Sequence, residues 1–168
     1  MAASSSSRTM ESRTGRSKQR YNAKGERLVA GVVPLTADKN YVMLIQSTRR
    51  KGWVLPKGGW ETDEECTEAA TREAWEEAGI LIQIDYDLGD ITESRPPKKA
   101  SNSKDKEKEK ESHKSLYRFY EATVTSEEEE WPEKEKRVRS WMTYVEAKEA
   151  LKDRPELMTA LDRSTIKR

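Results

Sequence analysis

Residues 58–80, GGWETDEECTEAATREAWEEAGI, constrain this chain more than any other stretch. The paired glycines Gly58 and Gly59 allow a tight turn and a close approach of the backbone to a ligand. Thr62 stands three residues before Glu65, the spacing of a capping box, and Asp63, Glu64 and Glu65 put negative charge at the positive end of a helix dipole. The spacing predicts a helix from near Thr62 to a stop at Gly79, roughly four turns. On it Glu73, Glu76 and Glu77 fall at i, i+3 and i+4 and share one face. Like charges at that spacing repel. Either water screens them, as on any charged helix face, or a cation neutralises them, and carboxylate oxygens suit a hard divalent ion such as Mg2+ or Mn2+.

The full spacing reads Gly58, five residues, Glu64, seven residues, Arg72-Glu73-Ala74, one residue, Glu76-Glu77, one residue, Gly79-Ile80. It is identified as a Nudix box without a departure, and few motifs are as specific. The resemblance implies a loop-helix-loop that binds divalent metal and cleaves a nucleoside diphosphate, or another diphosphate, joined to some other moiety.

Outside the box, RLVAGVVPL from Arg27 and YVMLIQS from Tyr41 are apolar, β-branched runs and read as strands joined across residues 38–40. Trp53-Val54-Leu55 leads into the Pro56-Lys57-Gly58-Gly59 turn. After the helix, ILIQIDYDLGDI predicts a strand or a bent pair, SLYRFYEATV an aromatic strand, and VRSWMTY a further strand. Short helices are predicted over 145–151 and 155–161, the second with Pro155 at its first position. Residues 95–114 hold no apolar side chain except Ala100 and read as a charged surface loop inserted between strands. Residues 1–15 are expected to form a flexible tail and 16–168 a single domain. Strands on both sides of one central helix, with a terminal helix for the other face, predict an α/β fold of three layers with a mixed sheet in the middle. The Nudix resemblance implies the same three-layer α/β/α sandwich, with the box helix on one face and the C-terminal helix on the other.

Composition narrows the chemistry. The lone cysteine, Cys66, excludes an internal disulfide, and the single histidine, His113, excludes a His/Cys zinc site and leaves metal chemistry to acids. The net charge of +1 hides 32 basic and 31 acidic residues, so a basic ligand site has to come from clustering in space. Glutamates interleaved with the lysines of the 95–114 loop argue against a DNA-binding arm. The first twenty residues hold no apolar run of signal-peptide type and no later stretch reaches membrane-spanning length. A monomer is expected, without a membrane partner, located in the cytoplasm with a nuclear location open.

Further segments narrow the resemblance. Trp53-Val54-Leu55-Pro56-Lys57-Gly58-Gly59, Arg27-Leu28-Val29-Ala30-Gly31, Arg95-Pro96-Pro97 and Arg154-Pro155-Glu156-Leu157 resemble fungal diphosphoinositol polyphosphate phosphohydrolases, which also act on diadenosine polyphosphates. The resemblance implies a polyanionic small-molecule substrate, inorganic polyphosphate among the candidates. It assigns Glu73 and Glu77, with a backbone carbonyl of Lys57 or Gly58, to the metal, and Glu76 to the base, a role that Glu73 could exchange with it. Arg72 is expected to pair with Glu64 and brace the loop, and Gly79 to end the helix. Phosphate contacts are assigned to Arg27, Ser47, Thr48, Arg49, Lys57, Lys114, Arg139 and Arg154, with Arg16 and Arg20 in the N-terminal arm. Two other readings stay open: a Nudix hydrolase directed at dinucleoside polyphosphates or RNA caps, for which Trp53, Trp60, Tyr117 and Trp141 are candidate base-stacking residues, and a Nudix module that binds without catalysis.

Overall fold

In the computed structural model, residues 9–49, 51–93 and 114–168 are described. The body of the charged insertion, 95–113 with His113, and the first eight residues of the expected tail lie outside them. Strand β1 (Arg27–Leu35) pairs in parallel with β6 (Ser115–Glu127) along its whole length, and antiparallel with β2 (Val42–Gln46) at one end and β4 (Lys57–Gly59) at the other. Strand β2 also pairs with β3 (Trp53–Val54) and β7 (Arg139–Met142), and β5 (Ile80–Thr92) forms the outer partner of β6. The sheet is therefore mixed, in the order β3-β2-β1-β6-β5 with β4 on β1 and β7 on β2.

Strand β1 explains the layering. Every residue from Val29 to Leu35 is buried, on both faces of the pleat, so neither face meets water. Helix α1 (Cys66–Ala78) packs on β1 and β5, while α2 (Tyr144–Ala150) and α3 (Pro155–Arg163) pack together and against β2, β7 and β5. Leu35, Met43, Leu44, Ile45, Leu55 and Phe119 are wholly buried between these layers, each contributing about 1.5–3 kcal/mol.

The box helix begins later than its sequence spacing predicts. Its N-cap is Glu65, with a capping box formed by Glu65 and Glu68, and Thr62 lies in the turn before it. Two commitments hold that turn open: the Thr62 N–H donates to the Lys18 carbonyl at 2.8 Å, and the Glu64 carboxylate is taken by Arg72. The other end is as expected, with Gly79 in the left-handed region at φ 66. The stretch after the helix is one strand with three register shifts, which supplies its bend. The tail is held from residue 9 onward, earlier than the expected boundary, because Thr9, Ser12 and Arg13 all hydrogen-bond to the domain.

Candidate active site

Arg72 organises the acids. Its Nε and Nη2 reach the two oxygens of Glu64 at 2.7 and 2.9 Å, Nη2 also donates to the Gly59 carbonyl at 2.9 Å, and Nη1 donates to Glu73 Oε2 at 3.0 Å and Glu76 Oε1 at 3.2 Å. The bracing pair expected from the box is present, and the same guanidinium reaches two of the three helix-face acids. Gly58 leaves the space that the Glu73 carboxylate fills: a Cβ there would fall on it. Glu77 Oε1 accepts the Lys57 N–H at 3.1 Å.

Glu73, Glu76 and Glu77 are 6%, 2% and 8% exposed, so the solvated-face reading of this acidic stripe does not hold. Burial raises all three pKa values. For Glu73 the Glu77 charge adds to burial, for Glu76 Arg72 opposes it, and Glu77 is pushed up to about 7 against the pull of Arg137 and Lys57. Three buried acids thus share Arg72, which is also bound to Glu64, Arg137, which is also bound to Glu133, and the nearby Lys57. A divalent cation with oxygen ligands fits this charge deficit and this donor set. A second acidic group, Glu61, Asp63 and Glu64, has carboxylate oxygens within 4.8 Å of one another. Arg13, Lys18 and Arg72 already neutralise it.

Beside Glu77 opens a cleft of about 640 Å³. Arg13, Arg16, Arg27, Arg49, Lys57, Lys136, Arg137 and Arg154 line it, against the carboxylates of Glu77, Glu93 and Glu133. The field of these cations is felt within it: burial lowers the Lys57 pKa, Glu77 opposes this, and Arg154, Arg137 and Arg27 add to the lowering. Arg154 is aimed by Glu156, whose Oε1 accepts its Nε–H at 2.7 Å at the start of α3.

The cleft gathers Arg16, Arg27, Ser47, Thr48, Arg49, Lys57 and Arg154 from the phosphate contacts expected by resemblance. Three others do not join it. The Arg139 guanidinium caps the end of α1, donating to the carbonyls of Ala78 at 2.8 Å and Glu128 at 2.7 Å, and stacks 4.1 Å from the Trp131 ring. The Arg20 guanidinium donates to the carbonyls of Thr62 and Glu64, at 3.1 Å each, over the Trp60 ring. Lys114 is exposed immediately ahead of β6 and is not part of the cleft lining, which its neighbour Ser115 joins. Main-chain carbonyls take these two arginines because the box turn and the helix end leave them without helical partners. Of the candidate stacking residues, Tyr117 lines the cleft, whereas Trp60 is covered by Arg20, Trp141 donates to Glu127, and Trp53 borders an adjoining hollow with Arg49.

Sequence reasoning missed Ser12, Arg13, Glu93, Glu133, Lys136 and Arg137. The one available signal was the basic Lys136-Arg137 pair closing an otherwise acidic segment; nothing in the local pattern placed that segment over the box.

A family profile described as NUDIX domain matches residues 25–162. Among relatives from Arabidopsis thaliana, "Nudix hydrolase 17, mitochondrial" is 38% identical over 158 residues, covering 86% of this chain and 76% of that protein. "Nudix hydrolase 21, chloroplastic" is 40% identical over 145 residues, covering 83% and 67%. Among solved structures, a NUDIX hydrolase from Nitrosomonas europaea superposes with a TM-score of 0.65 at 15% identity over 82% of this chain and 87% of its own. A C. elegans Ap4A hydrolase in a binary complex superposes with a TM-score of 0.58 at 20% identity, over 81% and 93%. At those identities the structures speak to fold alone, a three-layer α/β/α sandwich around a mixed sheet.

Proposed function

The chain belongs to the Nudix hydrolase family, and from that premise we propose that it is a metal-dependent pyrophosphohydrolase whose preferred substrates carry many phosphates, diphosphoinositol polyphosphates first among them. One observation carries the reading: among the described residues, eight cations surround a cleft of about 640 Å³ with one buried box carboxylate, Glu77, in its lining. A substrate with several separated phosphates engages more of such a lining than one diphosphate does. Diadenosine polyphosphates and inorganic polyphosphate share the chemistry and are expected as further substrates.

Glu73 and Glu77, with a carbonyl of Lys57 or Gly58, would hold Mg2+ or Mn2+, which when bound neutralises charge on the bridging and departing phosphate oxygens. Glu76, carrying a pKa raised by burial, orients a water and accepts its proton as the water oxygen attacks phosphorus. The bridging P–O bond breaks and the departing phosphate takes up a proton. Arg27, Arg49, Lys57, Arg137 and Arg154 fix the remaining phosphates.

A nucleotide-directed reading keeps a specific observation in its favour: Trp53 borders a hollow that shares Ser47, Thr48 and Arg49 with the main cleft, a place for a base to stack. Both readings place the chemistry at the same carboxylates. Turnover of a diphosphoinositol phosphate, a diadenosine polyphosphate and inorganic polyphosphate, compared as kcat/KM under one set of conditions, separates them. A preference for the diadenosine substrate that Trp53→Ala abolishes would replace the first reading with the second.

A further inference from the structure

The N-terminal wall of the cleft is pinned by contacts that the chemistry above does not use. The Trp75 indole N–H donates to the Thr9 carbonyl at 2.7 Å, the Ser12 hydroxyl to Glu133 Oε2 at 2.7 Å, and the main-chain N–H of Arg13 to Glu76 Oε2 at 3.2 Å. The Arg13 side chain adds Nη1 to Glu61 at 2.5 Å and Asp63 at 3.1 Å. Ser12, Arg13, Thr14 and Arg16 then form a wall of the cleft. The far partner of Ser12 is itself tied to the acids: Glu133 Oε1 accepts from Arg137 Nε at 2.8 Å, Arg137 Nη2 lies 3.4 Å from Glu77 Oε2, and the Glu133 N–H donates to the Glu76 carbonyl at 3.1 Å.

We propose that residues 9–16 are a strap that positions the Glu76 carboxylate for the reaction, latched by Ser12 and Glu133. The inference rests on the hydrolase reading above. Arg72 Nη1 meets Glu76 Oε1 and the Arg13 N–H meets Oε2, so each oxygen of a 2% exposed carboxylate has a fixed donor and the group has one orientation. The second donor belongs to the main chain. Among substitutions at Arg13 only proline deletes it; its place is set by the neighbouring Ser12 hydroxyl, anchored on an acid that reaches both Glu76 and, through Arg137, Glu77. Ser12 and Glu133 are therefore positioning residues that also line the cleft, and loosening the latch disorients Glu76 while leaving Arg27, Arg49, Lys57 and Arg154 unaltered.

Ser12→Ala, Ser12→Thr and Glu133→Gln test this with two readouts. In the chelated protein, exchange of the Trp75 indole proton followed by NMR reports whether the strap is seated. Ser12→Ala is expected to speed that exchange by about tenfold or more. With Mg2+, on whichever of the three substrates the wild type turns over fastest, it is expected to lower kcat by about tenfold with KM within about twofold. Glu133→Gln is expected to speed the exchange and lower kcat likewise, with a rise in KM besides because it also frees Arg137, and Ser12→Thr, which keeps the hydroxyl, to restore both readouts. Unchanged kcat in Ser12→Ala, a loss confined to KM, or a loss that Ser12→Thr does not restore overturns the proposal. So does a rise in kcat, which would make the strap an inhibitory cover. If the wild type turns over none of the three substrates, the hydrolase reading falls and the positioning role with it, while the exchange data still report whether the latch exists.

Discussion

Arg137 Nη2 lies 3.4 Å from Glu77 Oε2, with both side chains about one-tenth exposed, so a guanidinium holds the carboxylate proposed to bind metal. A buried acid that loses its cation is left uncompensated unless a proton or a metal replaces it. Arg137→Gln is therefore expected to lower stability in chelator by on the order of 1–3 kcal/mol at neutral pH. Saturating Mg2+ is expected to close most of that gap. Thermal unfolding of both proteins in EDTA and in Mg2+ measures it; equal deficits in the two conditions would show that Glu77 and the metal are not linked.

Burial lifts the three helix-face acids above the ordinary glutamate value of 4.5, Glu77 to about 7. The folded chain then holds protons that the unfolded chain has released. The corresponding stability is complete below the unfolded value and is lost as pH rises through about 7. In chelator, the melting temperature is expected to fall between about pH 5 and pH 8, and Mg2+ to flatten the slope. Glu121, held below the usual value by Lys39 and Thr165 against its own burial, acts in the opposite sense only at lower pH and leaves this window clear. A metal-free melting temperature that rises across the window would refute the assigned shifts.

Gly58→Ala places a methyl group on the Glu73 carboxylate. Turnover is expected to drop by about a hundredfold or more, because a displacement on the order of 1 Å is enough at a reacting centre. Wild-type kcat in this variant would mean that Glu73 is free to move aside, and that the close approach has no catalytic consequence.

Arg139 and Arg154 separate structural from substrate-facing cations. Arg139→Ala removes the donor to the Ala78, Gly79 and Glu128 carbonyls and the stacking on Trp131, and is expected to cost about 1–3 kcal/mol of stability with little change in KM. Arg154→Ala is expected to raise KM about tenfold or more and, because it strips the buried Glu156 of its guanidinium, to lower the melting temperature as well. Steady-state kinetics beside thermal unfolding decides; the reverse pattern in KM would return Arg139 to the phosphate contacts.

What the sequence made legible follows the range of each interaction. The box acids, the Arg72–Glu64 brace and the Gly79 stop were readable because their partners lie within a few helical turns. The strands were readable because β1, β2 and β6 carry long apolar runs. The start of α1 was misplaced because a distant main-chain group, the Lys18 carbonyl, takes the Thr62 N–H. Arg139 and Arg20 entered the expected phosphate contacts for the same reason: a basic side chain looks alike whether it faces a phosphate or an orphan carbonyl, and the fold sets these two on carbonyls. Ser12, Glu133 and Arg137 meet through contacts spanning up to 121 residues, and no local pattern encodes that meeting.

Phosphate release from a diphosphoinositol phosphate by the wild type and by Glu77→Gln, each in Mg2+ and in EDTA, addresses whether box carboxylates and a metal drive hydrolysis in this cleft. The expected result is turnover by the wild type in Mg2+ alone, a fall of about two to four orders of magnitude in Glu77→Gln, and a folded variant whose melting temperature in EDTA equals or exceeds that of the wild type. Turnover by Glu77→Gln near the wild-type rate in saturating Mg2+ would contradict it, and would move the metal, and the chemistry, to other residues of the chain.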